Sequence, residues 1–281
     1  EAAYVAMGHA LPKNGPLTLL SYQDEPKLIM PTRNGLADSA GNGNGNGVHR
    51  NGRETPFEMW KRTNVVKQRQ DGYVTAAVKL FMGDITSEQM LFVADLAERY
   101  SNGNLRTTIN QNVVIRWIPA GMISNLYEDL ASGGLADPGA ELVEDIIACP
   151  GTDTCGLGIT SSKGLARALA EVFPPGRVPE DLAGVDIKIS GCHNSCAQHH
   201  ISTIGLHGVG KRLGDHVAPH YELHLGGSVN GTAKIGQMIV KLPAKAVPAA
   251  LSHLIDVYRR DRQPHENLPK FITRMGKSKL K

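Results

Sequence analysis

Long apolar runs are missing from this 281-residue chain. None approaches the roughly 18 residues that a helix needs to cross a bilayer, so a helical membrane span is not expected. A Gly-x-Gly-x-x-Gly fingerprint is also absent, which argues against nicotinamide or flavin binding within the chain. Charge of one sign is scarce too. Lys and Arg number 30 against 27 Asp and Glu, and a net charge of +3 is too small to imply a nucleic-acid partner. The start, Glu1-Ala2-Ala3-Tyr4, has neither Met nor a basic stretch leading into an apolar core. It reads as no secretory signal, and as part of a longer chain. Cysteine is scarce as well, with four in all.

What is present suits a globular protein of one large or two ordinary domains, with 41% apolar and 20% charged residues. Residues 1–30 are broken by Pro12, Pro16 and Pro26 and receive no fold assignment. From Asn34 to Arg53 the sequence is dominated by Gly, Asn and Ala, centred on Gly41-Asn42-Gly43-Asn44-Gly45-Asn46-Gly47. That composition offers little apolar surface against ordering entropy and predicts a flexible linker, closing an unassigned segment over 1–54.

Structure is expected to resume near Phe57. Tyr73–Phe81 is β-rich; Thr86, with Gln89 three residues on, can cap a helix running to Tyr100. Leu105–Ile118 alternates as one strand, and Met122–Ser132 reads as a helix ending at Gly133-Gly134. This β-α-β-α unit, 55–136, is half of a ferredoxin-like arrangement. A second α+β region, 137–276, should hold a helix over about 161–173 and a strand over 185–190. Strands near 203–207 and 221–225 and a helix over about 246–259 complete it. Residues 277–281 form a basic, frayed tail.

The four cysteines fall in two clusters: Cys149-Pro150-Gly151-Thr152-Asp153-Thr154-Cys155 and Gly191-Cys192-His193-Asn194-Ser195-Cys196. Four thiolates match the ligand count of a [4Fe–4S] cubane or a structural zinc. Zinc sites usually space each ligand pair by two to four residues, and Cys-x5-Cys lies outside that range. Cluster ligation is therefore expected, with zinc, two disulfides or unrelated thiols as alternatives. Clustered cysteines of this kind suit a reducing compartment, so the cytoplasm is the expected location.

Cys149-x5-Cys155 followed by Gly191-Cys192-x3-Cys196 resembles the signature of the siroheme-dependent nitrite and sulfite reductases. Leu105-Arg106-Thr107-Thr108-Ile109-Asn110-Gln111-Asn112 resembles the strand opening the second half of those enzymes. Ile204–Gly208 and Leu223–Gly227 resemble two later strands. The likeness spans about Thr55 to Gly276 and implies the C-terminal half of such an enzyme. It implies a [4Fe–4S] cluster on Cys149, Cys155, Cys192 and Cys196, with the Cys196 sulfur shared with siroheme iron and therefore catalytic. Arg106, Asn110, Asn112, Asn194 and Cys196 are the implied cofactor-binding residues. Arg116, Lys188, Lys211, Arg212 and Lys234 read by default as surface cations. The implied reaction is the six-electron reduction of sulfite to sulfide or nitrite to ammonia, fed by ferredoxin or a separate reductase. Asn110 stands where the first-half strand carries an Arg near the substrate, and no second copy of that strand occurs in the chain. A missing N-terminal half or another chain is thus an expected partner. His193 departs from the family's usual Pro. The histidines near the second cysteine pair read as structural. The alternative function is a [4Fe–4S] electron-transfer or supporting module without its own haem.

Overall fold

The computed structural model describes residues 54–174, 180–229 and 233–280. The expectations for the first 53 residues, the Gly/Asn linker among them, lie outside the described residues. The described chain is α+β, with two sheets.

Thr55 starts the first helix, α1 (Pro56–Asn64), through a capping box with Glu58. Such a cap stabilises a helix by about 1 kcal/mol. Strands β1 (Val65–Lys67) and β2 (Tyr73–Val78) follow, then α2 (Ser87–Ser101), where Thr86 and Gln89 form the expected capping box. β3 (Leu105–Thr107), β4 (Val113–Pro119) and α3 (Ile123–Ser132) complete the first half. The antiparallel sheet runs in the order β1-β2-β4-β3. Its core gathers Trp60, Val93, Leu96 and Tyr100 with Ile115, Ile118, Leu126 and Leu130.

The single strand expected over 105–118 is a hairpin. Across its tip Thr108 N–H donates to the Asn112 carbonyl at 2.9 Å, and Asn112 N–H donates to Thr108 Oγ1 at 3.1 Å. Gln111 turns the chain with φ of 64°. Alternation of apolar residues continues through both arms, and that periodicity hides the turn.

The second sheet holds β5 (Ile147–Ala148), β6 (Ile187–Ser190), β7 (Ile204–Leu213), β8 (His216–Leu225) and β9 (Gln237–Pro243), in that spatial order. β5, β6 and β7 are parallel; β7, β8 and β9 are antiparallel. Three helices accompany it: α4 (Ser162–Val172), α5 (Val247–Asp261) and α6 (Leu268–Leu280). Ile187, Ile189, Leu206, Leu223 and Leu225 share one core with Leu165, Leu169, Leu251, Tyr258 and Phe271 from these helices. Strand side chains alternate between faces. Lys188, Ser190, His207, Glu222 and His224 therefore populate the opposite face, matched by the Ser190↔His207 and His207↔Glu222 registers. The short β5 and the later β9 and α6 were not expected. Residues 277–280, expected to fray, continue α6 past a break at Gly276, and Leu280 packs on the core.

The hairpin tip joins the two halves. Gln111 Nε2 donates to the Ala148 carbonyl at 2.9 Å, and Ala148 N–H donates to Gln111 Oε1 at 3.0 Å. A side-chain amide thus extends the edge of β5 as a strand would. Beside it, buried Asn112 accepts from Leu80 N–H at 2.9 Å and donates to Asp145 Oδ2 at 2.6 Å. Burial pushes the Asp145 carboxyl above its ordinary range, while bonds from Glu141 N–H and Asn112 oppose the shift. Asn112→Ala strands the buried Leu80 N–H and leaves the buried Asp145 carboxylate with the Glu141 N–H bond alone of the two. Urea unfolding should show a loss of about 2 kcal/mol, and a loss near zero would refute the bridging role.

Candidate functional site

The two cysteine clusters leave the same ends of adjacent parallel strands. Ala148 is opposite Ile189 in the β5–β6 ladder, and Cys149 N–H continues it to the Ile189 carbonyl at 3.1 Å. The next residues out are Cys149 on one strand and Gly191-Cys192 on the other. Gly191 N–H donates to Cys149 Sγ at 3.0 Å. The Gly191 carbonyl accepts from Ile159 N–H and Thr160 N–H at 2.9 and 3.0 Å, drawing the Cys155 loop onto the second pair. Cys155 N–H closes that loop onto Gly151 at 3.0 Å. A Cβ on Gly191 would lie 2.7 Å from Gly151 Cα and 2.9 Å from the Thr160 carbonyl. Only a residue without a side chain lets these backbones meet.

All four thiols are free; Cys149 and Cys192 are buried, Cys155 and Cys196 exposed. All four cysteines lie in the two loops that leave one end of the sheet, two of them buried and two exposed. This donor set fits a thiolate-held cubane. The Cys192–Cys196 stretch is not helical. It is a series of turns with Ser195 at φ of 59° and Gln198 at 60°. Asn194 is exposed in the same loop.

The remaining expected residues divide. Asn110, half-buried at the hairpin tip, accepts from Lys188 Nζ at 3.3 Å, so the structure brings it to the second sheet. Arg106 is exposed on β3 and donates to its own neighbour's carbonyl, Leu105 O, at 2.8 Å. Asn112, expected to bind a cofactor, instead spends its amide inside the fold, as described above. Lys188, read as a surface cation, is 4% exposed. Its partners are the amide oxygens of Asn110 and Gln198, at 3.3 and 3.4 Å. Among the described residues no carboxylate balances it. A buried ammonium without a counter-charge is costly, so an anionic group beside it would be favoured. Sequence offered one signal for this, the position of Lys188 three residues before the Gly191-Cys192 pair.

Four histidines also meet on this face. His199 and His200 ring centroids lie 3.9 Å apart, and His207 and His224 stand within 5.3 Å of His199. His199 is fully buried. Burial, reinforced by the neighbouring imidazoles, pulls its pKa down to about 3. Burial also lowers His207 and His224, with Glu222 acting in the opposite direction on both and the Gly236 backbone on His224. His193 and His216 are exposed and stand apart from this group in burial.

Two family profiles match the chain. Residues 66–133 match the nitrite/sulfite reductase ferredoxin-like half domain, and residues 139–281 match the nitrite and sulphite reductase 4Fe-4S domain. The chain belongs to the nitrite and sulfite reductase family. It is 28% identical over 214 residues to an assimilatory ferredoxin-dependent nitrite reductase of Haloferax mediterranei, covering 75% of this chain and 36% of that protein. It is 33% identical over 179 residues to the sulfite reductase [NADPH] hemoprotein beta-component of Methylobacterium nodulans, covering 62% of this chain and 28% of that one. The chain spans about a third of the length of the curated relatives it matches. Among solved structures, the Mycobacterium tuberculosis NirA protein shares its fold with a TM-score of 0.63 at 21% identity, over 78% of this chain and 41% of that one. Among the described residues, no helix is long and apolar enough to cross a membrane.

Two outcomes follow from this geometry. Gly191→Ala forces backbone apart where the two cysteine loops touch, and a thermal melt should show a loss of several kcal/mol; an unchanged melt would mean the loops can separate freely. The second concerns acid. His199 is neutral in the fold down to about pH 3, whereas an unfolded histidine charges below its ordinary 6.5. Its contribution to stability is full above that unfolded value and is lost as pH falls towards the folded one, and His207 and His224 act in the same direction. Urea midpoints should therefore drop steadily from about pH 7 to about pH 5, and a flat profile there would refute it.

Proposed function

We infer that this chain is the cofactor-holding second half of a siroheme-dependent nitrite or sulfite reductase. The observation that carries this reading is that all four cysteines, none in a disulfide, lie in the two loops leaving the paired ends of β5 and β6. Cys149, Cys155, Cys192 and Cys196 would hold a [4Fe–4S] cluster, with exposed Cys196 offering its sulfur to siroheme iron as well. When bound, the two groups would supply the single-electron steps that reduce sulfite to sulfide or nitrite to ammonia.

The chain's own residues prepare for that chemistry. Gly191 N–H, aimed at Cys149 Sγ, stabilises negative charge on the thiolate and so raises the potential of whatever iron it holds. The Lys188 ammonium, steadied by Asn110 and Gln198, places an unbalanced positive charge on the polar face of the sheet, suited to a siroheme carboxylate or an anion. Arg106 and Asn194, both exposed, would reach such a group from outside.

Exposed apolar side chains flank the same end of the molecule: Ile109 on the hairpin tip, Leu157 and Ile159 in the Cys155 loop. They suit a covering surface from the first half of the enzyme, which would bring the substrate-binding cations that this chain has few of. The relatives named ferredoxin-dependent support ferredoxin as electron donor, and the NADPH-named relatives support a separate reductase. The cytoplasm is the proposed location.

The optical spectrum of anaerobically purified chain, with iron and acid-labile sulfide counted on the same sample, tests the reading. Red-shifted isobacteriochlorin bands and one iron in excess of sulfide are expected when siroheme is supplied. Cys196→Ser should lose those bands. A colourless, iron-free protein would overturn the proposal.

A further inference from the structure

The histidine group on the polar face of the second sheet has no part in the function just argued. Two of its ring nitrogens are buried with no partner, His199 Nε2 and His224 Nδ1. Their residues are 0% and 6% exposed. A buried polar atom left without a hydrogen bond costs about 1–3 kcal/mol, so two in one cluster require a cause.

The ligand atoms of His199, His200 and His224 all lie within 4.8 Å of one another. One nitrogen of each ring is already held. His199 Nδ1 is 3.0 Å from Ser190 Oγ, His200 Nδ1 is 3.2 Å from Ser195 Oγ, and His224 Nε2 is 3.1 Å from His207 Nδ1. Metal-bound histidines characteristically have the second nitrogen fixed by such a partner. We propose that His199, His200 and His224 form a three-histidine site for a divalent metal of the zinc type, additional to the four-thiol centre.

Proton placement is consistent throughout. A metal on His224 Nδ1 leaves the proton on Nε2, which donates to His207 Nδ1. His207 then carries its proton on Nε2, 3.6 Å from Glu222 Oε2, and Glu222 is itself 3.1 Å from Lys241. A metal on His199 Nε2 leaves Nδ1–H to donate to Ser190, and His200 likewise donates to Ser195. All three imidazoles are then neutral, the form a metal requires, and burial already favours that form for His199 and His224. His207, Glu222 and His224 also come within ligand reach of one another. The His207–His224 hydrogen bond makes His207 the outer partner instead. Three imidazoles leave a fourth tetrahedral position for water, reached past half-buried His200.

The test uses the full chain after anaerobic reconstitution of its iron–sulfur centre, incubated with equimolar zinc and dialysed. Zinc-edge X-ray absorption reads this metal apart from iron. One zinc per chain is expected, with nitrogen and oxygen at about 2.0–2.1 Å and no sulfur near 2.3 Å. His200→Gln should weaken zinc binding at least about ten-fold, with circular dichroism and iron content unchanged. His207→Gln, which alters only the outer partner, should weaken it about 10–100-fold. His253→Gln, exposed on α5, should bind zinc as the parent does. Failure to retain zinc, a sulfur shell, or full affinity in both His200→Gln and His207→Gln would each overturn the site. Failure of the four-thiol reading is separately visible as absent iron.

Discussion

Everything at this site depends on the parallel pairing of two very short strands. β5 contributes only Ile147 and Ala148, yet their register with Lys188 and Ile189 fixes where both cysteine loops begin. Two ladder residues would be weak alone. The pairing is reinforced on one side by Gln111, whose amide completes the Ala148 hydrogen bonds. It is reinforced on the other by Gly191, whose N–H meets Cys149 Sγ and whose carbonyl gathers Ile159 and Thr160. The thiols are therefore placed by backbone, not by long side chains with rotamers to lose. That is the rigidity a pre-organised metal site needs.

The same arrangement makes the two halves of the described chain interdependent. The ferredoxin-like half packs its own core around Trp60 and Leu126, but its hairpin tip has little apolar content of its own. Thr108, Asn110, Gln111 and Asn112 are instead engaged by hydrogen bonds, three of them reaching Lys188, Ala148 and Asp145 of the second half. Polar contacts of this kind are directional, so they set orientation where a greasy interface would allow sliding.

What sequence could reveal follows from the range of the interactions involved. The cysteine spacing, the capping box at Thr86 and Gln89, and the helices beginning at Ser162 and Val247 are local, and their signals survive in a linear reading. The hairpin at 108–112 was hidden because apolar alternation runs through both of its arms. Asn112 carried a family-like motif but folds as an internal bridge, a fact decided by Leu80 and Asp145 far away in the chain. Lys188 looked like any surface lysine. Its burial comes from the segment after Cys196, where Gln198 and the His199–Ile201 turn lie over the sheet, and no periodicity records that.

That covering segment explains why charge and imidazole gather on one face. Gly205 lets it descend, since a Cβ there would collide with the His199 carbonyl. Once the segment is down, β6, β7 and β8 must bury whatever their outward positions carry: Lys188, His207 and His224. Aliphatic residues would serve a purely structural cover better, because they need no partners and incur no desolvation cost. The chain instead buries an ammonium whose hydrogen-bond partners are amide oxygens, and two ring nitrogens that make no hydrogen bond. Unmet donors and acceptors within one sheet face, adjoining four free thiols, mark a surface shaped for groups the polypeptide does not itself supply. The ammonium asks for negative charge and the imidazoles ask for a Lewis acid, so a single occupant cannot satisfy both. The face is therefore best understood as two sites, one anionic in preference at Lys188 and one metal-binding at the histidines, whose rings Ser190 and Ser195 hold by hydrogen bonds.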